Sequence, residues 1–153
     1  MIDLTSLLEL INYGFVLFFG IVMSLYLADI HFEDHKTFYV VTILSFGAAQ
    51  ILFYLIMGES LLYECYPLLI HLPLILLIRF AFHRNIYIAT ISVLSAYLMC
   101  TPRKWFGTLA ASFFHGSPIV SNLVSICVTI PLLCLVIRYI APYIIRLTYE
   151  NKK

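Results

Sequence analysis

The stretch that decides the fold is residues 65–84, which read CYPLLIHLPLILLIRFAFHR. It is apolar enough to cross a bilayer, but Pro67, Pro73 and the ionisable side chain of His71 interrupt it. Each internal proline removes a backbone N–H donor, and an unpaired polar group is costly in hydrocarbon. The segment therefore needs other helices around it, and we expect His71 to face protein or a wet cavity.

Composition indicates an integral membrane protein. Hydrophobic residues make up 63% of the 153 residues, and charged residues make up 11%, against about 25% in soluble domains. Mean hydropathy is +1.00, so too few polar residues exist to cover a water-facing surface. The net charge of +1 comes without a basic stripe, which argues against a nucleic-acid partner. The partner that composition predicts is the lipid bilayer.

Apolar runs separated by polar breaks predict an all-α, polytopic transmembrane helix bundle of about six spans. The weakest span, 105–115, is short, but its small-residue face and lack of charge favour a span over an interfacial helix. Five spans, with the chain ends on opposite sides, are the alternative. With either number of spans, we expect residues 1–147 to form the transmembrane sensor domain and residues 148–153 to begin a cytoplasmic tail or linker. The predicted spans are 11–28, 37–57, 65–84, 86–99, 105–115 and 119–137.

Orientation follows from the lysines and arginines in short loops. Thr101–Trp105, which reads TPRKW, is typical of a headgroup boundary because two cations precede the only tryptophan. With six spans, both chain ends lie on the side with more cations, which predicts cytoplasmic ends. The cations on that side are Arg103, Lys104, Arg138, Arg146, Lys152 and Lys153, and those on the other side are Lys36, Arg79 and Arg84.

The most polar run is residues 29–36, DIHFEDHK, which six spans place outside the cell. His31 and His35 are four apart and would share one face of a continuing helix, with Glu33 and Asp34 beside them. That spacing suits a divalent metal, but no third ligand is defined, so we predict no metal site. An acidic loop facing a ligand and a plain connector both remain open.

Polar side chains within the spans define a candidate ligand site or polar core. Amides and ionisable groups inside a membrane usually face the bundle interior and pair with one another. We expect His71 to pair with Gln50 or Asn122, and we add Arg79, at the end of the same segment, to this candidate site.

Catalytic motifs are missing from the sequence, so we predict that this chain is not an enzyme and needs no cofactor. It contains no GxSxG, no HExxH and no glycine-rich phosphate loop. The four cysteines show no CxxC spacing, which argues against a zinc site or a disulfide framework.

Three stretches resemble a known family: 66–85, YPLLIHLPLILLIRFAFHRN; 91–109, ISVLSAYLMCTPRKWFGTL; and 130–142, IPLLCLVIRYIAP. They are similar to the membrane-embedded sensor region of bacterial GHKL-type histidine kinases, which is related to the accessory-gene-regulator quorum-sensing receptors. The resemblance covers about residues 60–145. It rests on Tyr66, Pro67, His71, Pro73, Ser95, Ala96, Tyr97, Arg103, Trp105, Gly107 and the exit at 138–142.

The resemblance implies a sensor or receptor module of a two-component system in the bacterial cell membrane. Such a module detects an extracellular signal, such as a small peptide, and passes it through the last helix to a kinase module, for which this sequence has no phosphoacceptor or ATP-binding motif. The family also implies a homodimer, for which Ile140, Ile144 and Leu147 offer an apolar stripe. A tail lying on the membrane is the alternative for that stripe. A transporter or channel subunit with His71 on its path, and a structural membrane protein, are the alternatives for function.

Overall fold

The computed structural model describes residues 4–150, and five helices in this range are long and apolar enough to cross a membrane. Helix accounts for 88% of the described residues, which include no strand. The prediction of an all-α helix bundle is confirmed, with the five spans held as the alternative. Lys152 and Lys153 of the predicted tail lie outside the described residues. The helices are α1 (Leu4–Leu27), α2 (Lys36–Gly58), α3 (Ser60–Ala81), α4 (Ile86–Ser112) and α5 (Pro118–Thr148).

The predicted division at Thr101–Trp105 is wrong, because α4 continues through this segment as one helix of 27 residues. Pro102 lies inside the helix, and neighbouring helices can satisfy the backbone groups that such a proline frees. The cations do not force an exit from the bundle, since Arg103 is buried among polar side chains. Predicted spans four and five are therefore one helix.

Helices α2 and α3 form an antiparallel hairpin. Gly58 separates them with φ 81° and ψ 178°, a conformation that suits glycine because it has no Cβ. At the other end of the hairpin the rings of Phe38 and Phe82 meet at 4.7 Å between centroids, and those of His35 and Phe82 at 5.1 Å. The chain therefore reverses direction at Gly58 and returns to the start of α2.

Two π-helical turns precede prolines inside the spans. Pro67–His71 is followed by Pro73 in α3, and Val136–Ile140 is followed by Pro142 in α5. A proline cannot donate to the carbonyl four residues earlier, and a local widening of the helix accommodates the loss. The backbone N–H groups of Leu72 and Ala141 accordingly donate five residues back, to Pro67 and Val136.

Helix α1 is the centre of the bundle because it buries two faces. Residues four apart on each face pack into a different apolar cluster, as the helical repeat requires. The first cluster joins α1 to the α2–α3 hairpin and includes Leu17, Ile21, Leu25, Tyr39, Ile70, Leu74 and Ile78. The second joins α1 to α4 and α5 and includes Phe19, Met23, Leu27, Ala96, Cys100, Leu133 and Val136.

The end of α5 exposes a different face from the predicted stripe. Ile144 packs against the second apolar cluster, in which Ala141 is fully buried. Ile140 is exposed at 39%, but the most exposed large side chains are Tyr139 at 60%, Tyr143 at 71% and Leu147 at 69%, spaced four apart. The predicted stripe of Ile140, Ile144 and Leu147 is therefore wrong at Ile144.

Successive helices run in opposite directions, so residues 4 and 150, the limits of the described part of the chain, lie at opposite ends of the bundle. One end, which we name the basic end, comprises residues 28–35, residues 82–85 and the last turns of α5. Four cations gather near it: Lys36, Arg79, Arg84 and Arg146. The other end comprises the start of α1, the Gly58 turn and residues 113–117.

Candidate functional site: a polar seam and cavity around Arg103

Arg103 is buried inside the bundle with only 3% of its surface exposed. Its Nε donates to Thr129 Oγ1 on α5 at 2.8 Å, and one terminal nitrogen donates to Asn12 Oδ1 on α1. The other terminal nitrogen contacts Cys100 Sγ at 3.9 Å. A full positive charge is thus held between three helices by uncharged acceptors.

Two further helix-to-helix bonds extend this contact into a continuous polar seam, which we define as Asn12, Arg103, Asn122, Ser125 and Thr129. The Asn12 amide donates to Asn122 Oδ1 at 2.8 Å, so it accepts from α4 and donates to α5. The Ser125 hydroxyl donates to the Arg103 carbonyl at 3.3 Å. Because the three α5 residues are three and four apart, they share one helix face.

Gly107 brings α4 and α5 close together beside the seam. A Cβ built at this position would lie 2.5 Å from the Ser121 carbonyl oxygen, which is closer than real Cβ contacts allow. Small residues permit such backbone approach between membrane helices. The side chain of Ser125 can therefore reach the main chain of α4.

A cavity of about 760 Å³ adjoins the seam. That volume lies within the range of about 300–1,000 Å³ that small-molecule sites occupy. The cavity runs from Gly116 and Pro118, at the α4–α5 turn, to Tyr97 and Cys100, near the middle of α4. Its polar lining comprises Glu9, Asn12, Thr101, Arg103, Lys104, Thr108, Ser112, Ser121, Asn122 and Ser125, and its apolar and aromatic lining includes Tyr13, Val16, Tyr66, Tyr97 and Ala111.

His71 is half-buried and contacts aromatic rings. Its ring centroid lies 4.7 Å from that of Tyr97 and 5.4 Å from that of Tyr66, both in edge-to-face geometry. It also borders a separate void of about 10 Å³, which holds at most about one water molecule. The expected pairing with Gln50 or Asn122 is not formed, since Asn122 bonds Asn12 and Gln50 Oε1 has no hydrogen-bond partner in the described part of the chain.

Arg79 lies at the basic end, away from the seam. One of its terminal nitrogens donates to the Arg84 carbonyl at 3.1 Å, and Arg84 in turn donates to the Asp29 carbonyl at 2.9 Å and carboxylate at 3.3 Å. These bonds join the turn of residues 82–85 to the turn of residues 28–35 at the basic end. The four residues of the predicted polar core therefore separate: Asn122 lies in the seam, His71 near the cavity, Gln50 on α2 and Arg79 at the basic end.

The acidic loop lies in a turn, so His31 and His35 do not share a helix face. The His31 ring packs against Tyr26 with centroids 5.4 Å apart, whereas His35 packs against Phe82. Glu33 and Asp34 are exposed. Within residues 4–150, no three His, Cys, Asp or Glu side chains come close enough to hold a metal ion.

Sequence reasoning missed Arg103 because it assigned Arg103 to the headgroup boundary beside Trp105. A signal was nevertheless present on α5, where Asn122, Ser125 and Thr129 form a polar stripe in a largely apolar span. Such a stripe needs a polar partner on another helix. Arg103 was one of the few side chains in the sequence with enough N–H donors to pair with this polar stripe.

A scan against models of protein families finds no match, and searches of curated proteins and of solved structures find none either. The resemblance to histidine-kinase sensor regions therefore stays a prediction from the residues that carry it.

Proposed function

We propose that this chain is the membrane sensor module of a histidine-kinase-type receptor in the bacterial cell membrane. The observation that carries the proposal is the cavity of about 760 Å³ beside the buried Arg103. Ionisable residues inside membrane spans are costly and usually mark a functional site. The family resemblance implies that the output passes through the last helix to a kinase module. The proposed input is an extracellular signal such as a small peptide.

The charge distribution favours an orientation in which the cavity faces outside. Cations concentrate at the basic end, so the positive-inside rule assigns that end to the cytoplasm. The end of α5 then enters the cytoplasm, where a kinase module would lie. The loop of residues 29–36 is then also cytoplasmic, opposite to the side expected for six spans.

Labelling of single cysteines tests this orientation. With the native cysteines replaced, a cysteine at Asp34 should be protected from an impermeant thiol reagent added to intact cells, and one at His115 should react. Both should react after the cells are permeabilised. Reaction at Asp34 in intact cells, with protection at His115, would reverse the orientation.

Transmission to the output depends on α5, because it lines the cavity at one end and reaches the basic end at the other. A ligand can shift an equilibrium only if it binds two packing states unequally. The π-helical turn at Val136–Ile140 follows the seam along α5 and contains Tyr139, the first residue of the exposed face of Tyr139, Tyr143 and Leu147. We infer that this face pairs with a second copy and that cavity occupancy changes the pairing.

Crosslinking tests the sensor role. Single cysteines at Tyr139, Tyr143 and Leu147 should crosslink to a second copy more readily than cysteines at Ala141, Ile145 and Thr148. The replacement Thr108→Trp places a bulky ring in the cavity wall and should change the crosslinking yield at the exposed face. The matched control Leu109→Trp lies on the exposed surface of the same helix and should leave the yield unchanged.

Identical yields with and without Thr108→Trp would contradict transmission from the cavity to α5. Equal crosslinking at all six positions would contradict a dimer through this face and favour a tail lying on the membrane.

Transport is the second candidate function, because a buried arginine beside a cavity also suits a substrate path. The cavity extends only from the α4–α5 turn to about the middle of the helices. The void beside His71 has room for at most about one water molecule, so neither provides a continuous path across the bundle. Flux of an anionic substrate into vesicles that contain the protein, lost in Arg103→Gln, would favour transport over sensing.

A further inference from the structure

The cavity beside the polar seam carries more positive than negative side chains. Arg103 and Lys104 line it together with one carboxylate, that of Glu9. Helix α5 begins at the cavity with Pro118 in its first turn, and its N-cap residue Ser117 makes no side-chain capping bond. The first N–H groups of a helix favour negative charge. The electrostatics of the cavity therefore favour an anion.

Arg103 has donors to spare for such a group. A guanidinium carries five N–H donors in a fixed plane, and the contacts with Thr129, Asn12 and Cys100 involve three of them. That fork matches the two oxygens of a carboxylate or the oxygens of a phosphate. The uncharged acceptors orient the guanidinium, and its charge is left to attract a ligand.

The interior part of the cavity has a different character. Tyr66, Tyr97 and Val16 form its wall at the depth of Cys100, while the hydroxyls of Ser112 and Ser121 lie towards the α4–α5 turn. Aromatic and aliphatic walls take up apolar surface from water. A matching ligand needs an apolar body as well as an anionic group.

We propose that the cavity binds an amphiphilic anion, with its carboxylate or phosphate on Arg103 and its apolar part against Tyr66 and Tyr97. This inference rests on the proposed function for the location of the site and adds the chemical class of the ligand. A free small molecule and the headgroup of an anionic lipid both present this chemistry.

Equilibrium binding of radiolabelled decanoate to the full chain in phosphatidylcholine nanodiscs tests the inference, with empty nanodiscs subtracted. Decanoate should bind saturably and be displaced by decyl phosphate, but not by decanol or decyltrimethylammonium. Arg103→Gln should weaken binding at least about tenfold, as loss of a charge-assisted hydrogen bond predicts. Arg138→Gln, which removes an exposed arginine that does not line the cavity, should leave binding unchanged.

Thr108→Trp provides a second variant in case Arg103→Gln does not fold, because it places a bulky ring at the cavity wall one helical turn from Arg103 and removes none of the bonding partners of Arg103. It should also abolish saturable binding. Binding no greater than to empty nanodiscs, equal displacement by the cationic analogue, or decanoate binding that survives in both variants would overturn the inference.

Adding phosphatidylglycerol to the nanodiscs separates the two sources. If it lowers decanoate binding, a lipid headgroup occupies the site, and if it does not, the ligand is a free anion; either result retains the anionic chemistry. Saturable, Arg103-dependent binding without a change in α5 crosslinking would contradict the sensor role and leave the anion inference standing. A crosslinking response without decanoate binding would remove the anion inference alone.

Discussion

The seam helices and the α2–α3 hairpin differ in what holds them to the bundle. In the most apolar 18-residue stretch of each helix, 39% of the residues are buried in α1 and α4, against 11% in α2. Polar side chains and Gly107 join the seam helices, while the first apolar cluster joins the hairpin to α1. Lipid is as apolar as leucine, so apolar surface alone does not drive membrane helices together. Polar groups and close backbone approach therefore decide which helices form the core.

The largest loss of stability should come from removing the hydrogen bonds that Asn12 makes in the seam. Asn12→Leu removes an acceptor from the buried Arg103 and a donor from Asn122, and we expect it to lower the free energy of unfolding by about 3 kcal/mol. Titration from mild detergent micelles into SDS measures this quantity. A loss below about 1 kcal/mol would mean that the seam contributes no more than an ordinary hydrogen bond.

A smaller loss should follow when α4 and α5 are forced apart. Gly107→Ala introduces a Cβ against the Ser121 carbonyl, and we expect a loss of about 2 kcal/mol in the same titration. Gly14→Ala is the matched control, since nothing lies within 4 Å of its added Cβ. It should stabilise α1 by about 0.5–1 kcal/mol through helix propensity. If both variants stabilise the protein, the close packing at Gly107 is contradicted.

A buried hydrogen bond joins the hairpin to the turn that follows α1, because the Tyr39 hydroxyl donates to the Ile30 carbonyl at 2.6 Å. Tyr39→Phe should cost about 1 kcal/mol, less than either seam variant, because both groups are uncharged. Tyr143→Phe changes an exposed hydroxyl and should have no measurable effect. A loss for Tyr39→Phe as large as that for Asn12→Leu would remove the contrast between the two regions.

The smallest effect should come from Gln50, an amide on the hairpin with only 2% of its surface exposed. Its Oε1 has no hydrogen-bond partner within the described residues, so Gln50→Leu should leave stability unchanged or raise it by less than about 1 kcal/mol. The comparison with Asn12→Leu matches one amide against another. Destabilisation beyond about 1 kcal/mol would show that Gln50 belongs to a polar network like the seam.

Part of the candidate site could be predicted from the sequence. Asn122 stands out as an amide inside an apolar span, and it does pair with another helix. Its partner could not be predicted, because Asn12 lies 110 residues away and the chain holds several other amides. The same difficulty explains the expected pairing with His71, whose ring instead lies against Tyr66 and Tyr97.

The sequence by itself determined that the protein is an all-α membrane bundle, because the hydropathy of about 20 consecutive residues identifies a membrane-spanning helix without knowledge of its neighbours. Only the tertiary structure decided that Arg103 lies inside the bundle. A cation beside a tryptophan is typical of a headgroup boundary, and its burial becomes tolerable only when acceptors surround it. Those acceptors are Thr129, 26 residues away, and Asn12, 91 residues away, so the burial of Arg103 depends on how three helices pack.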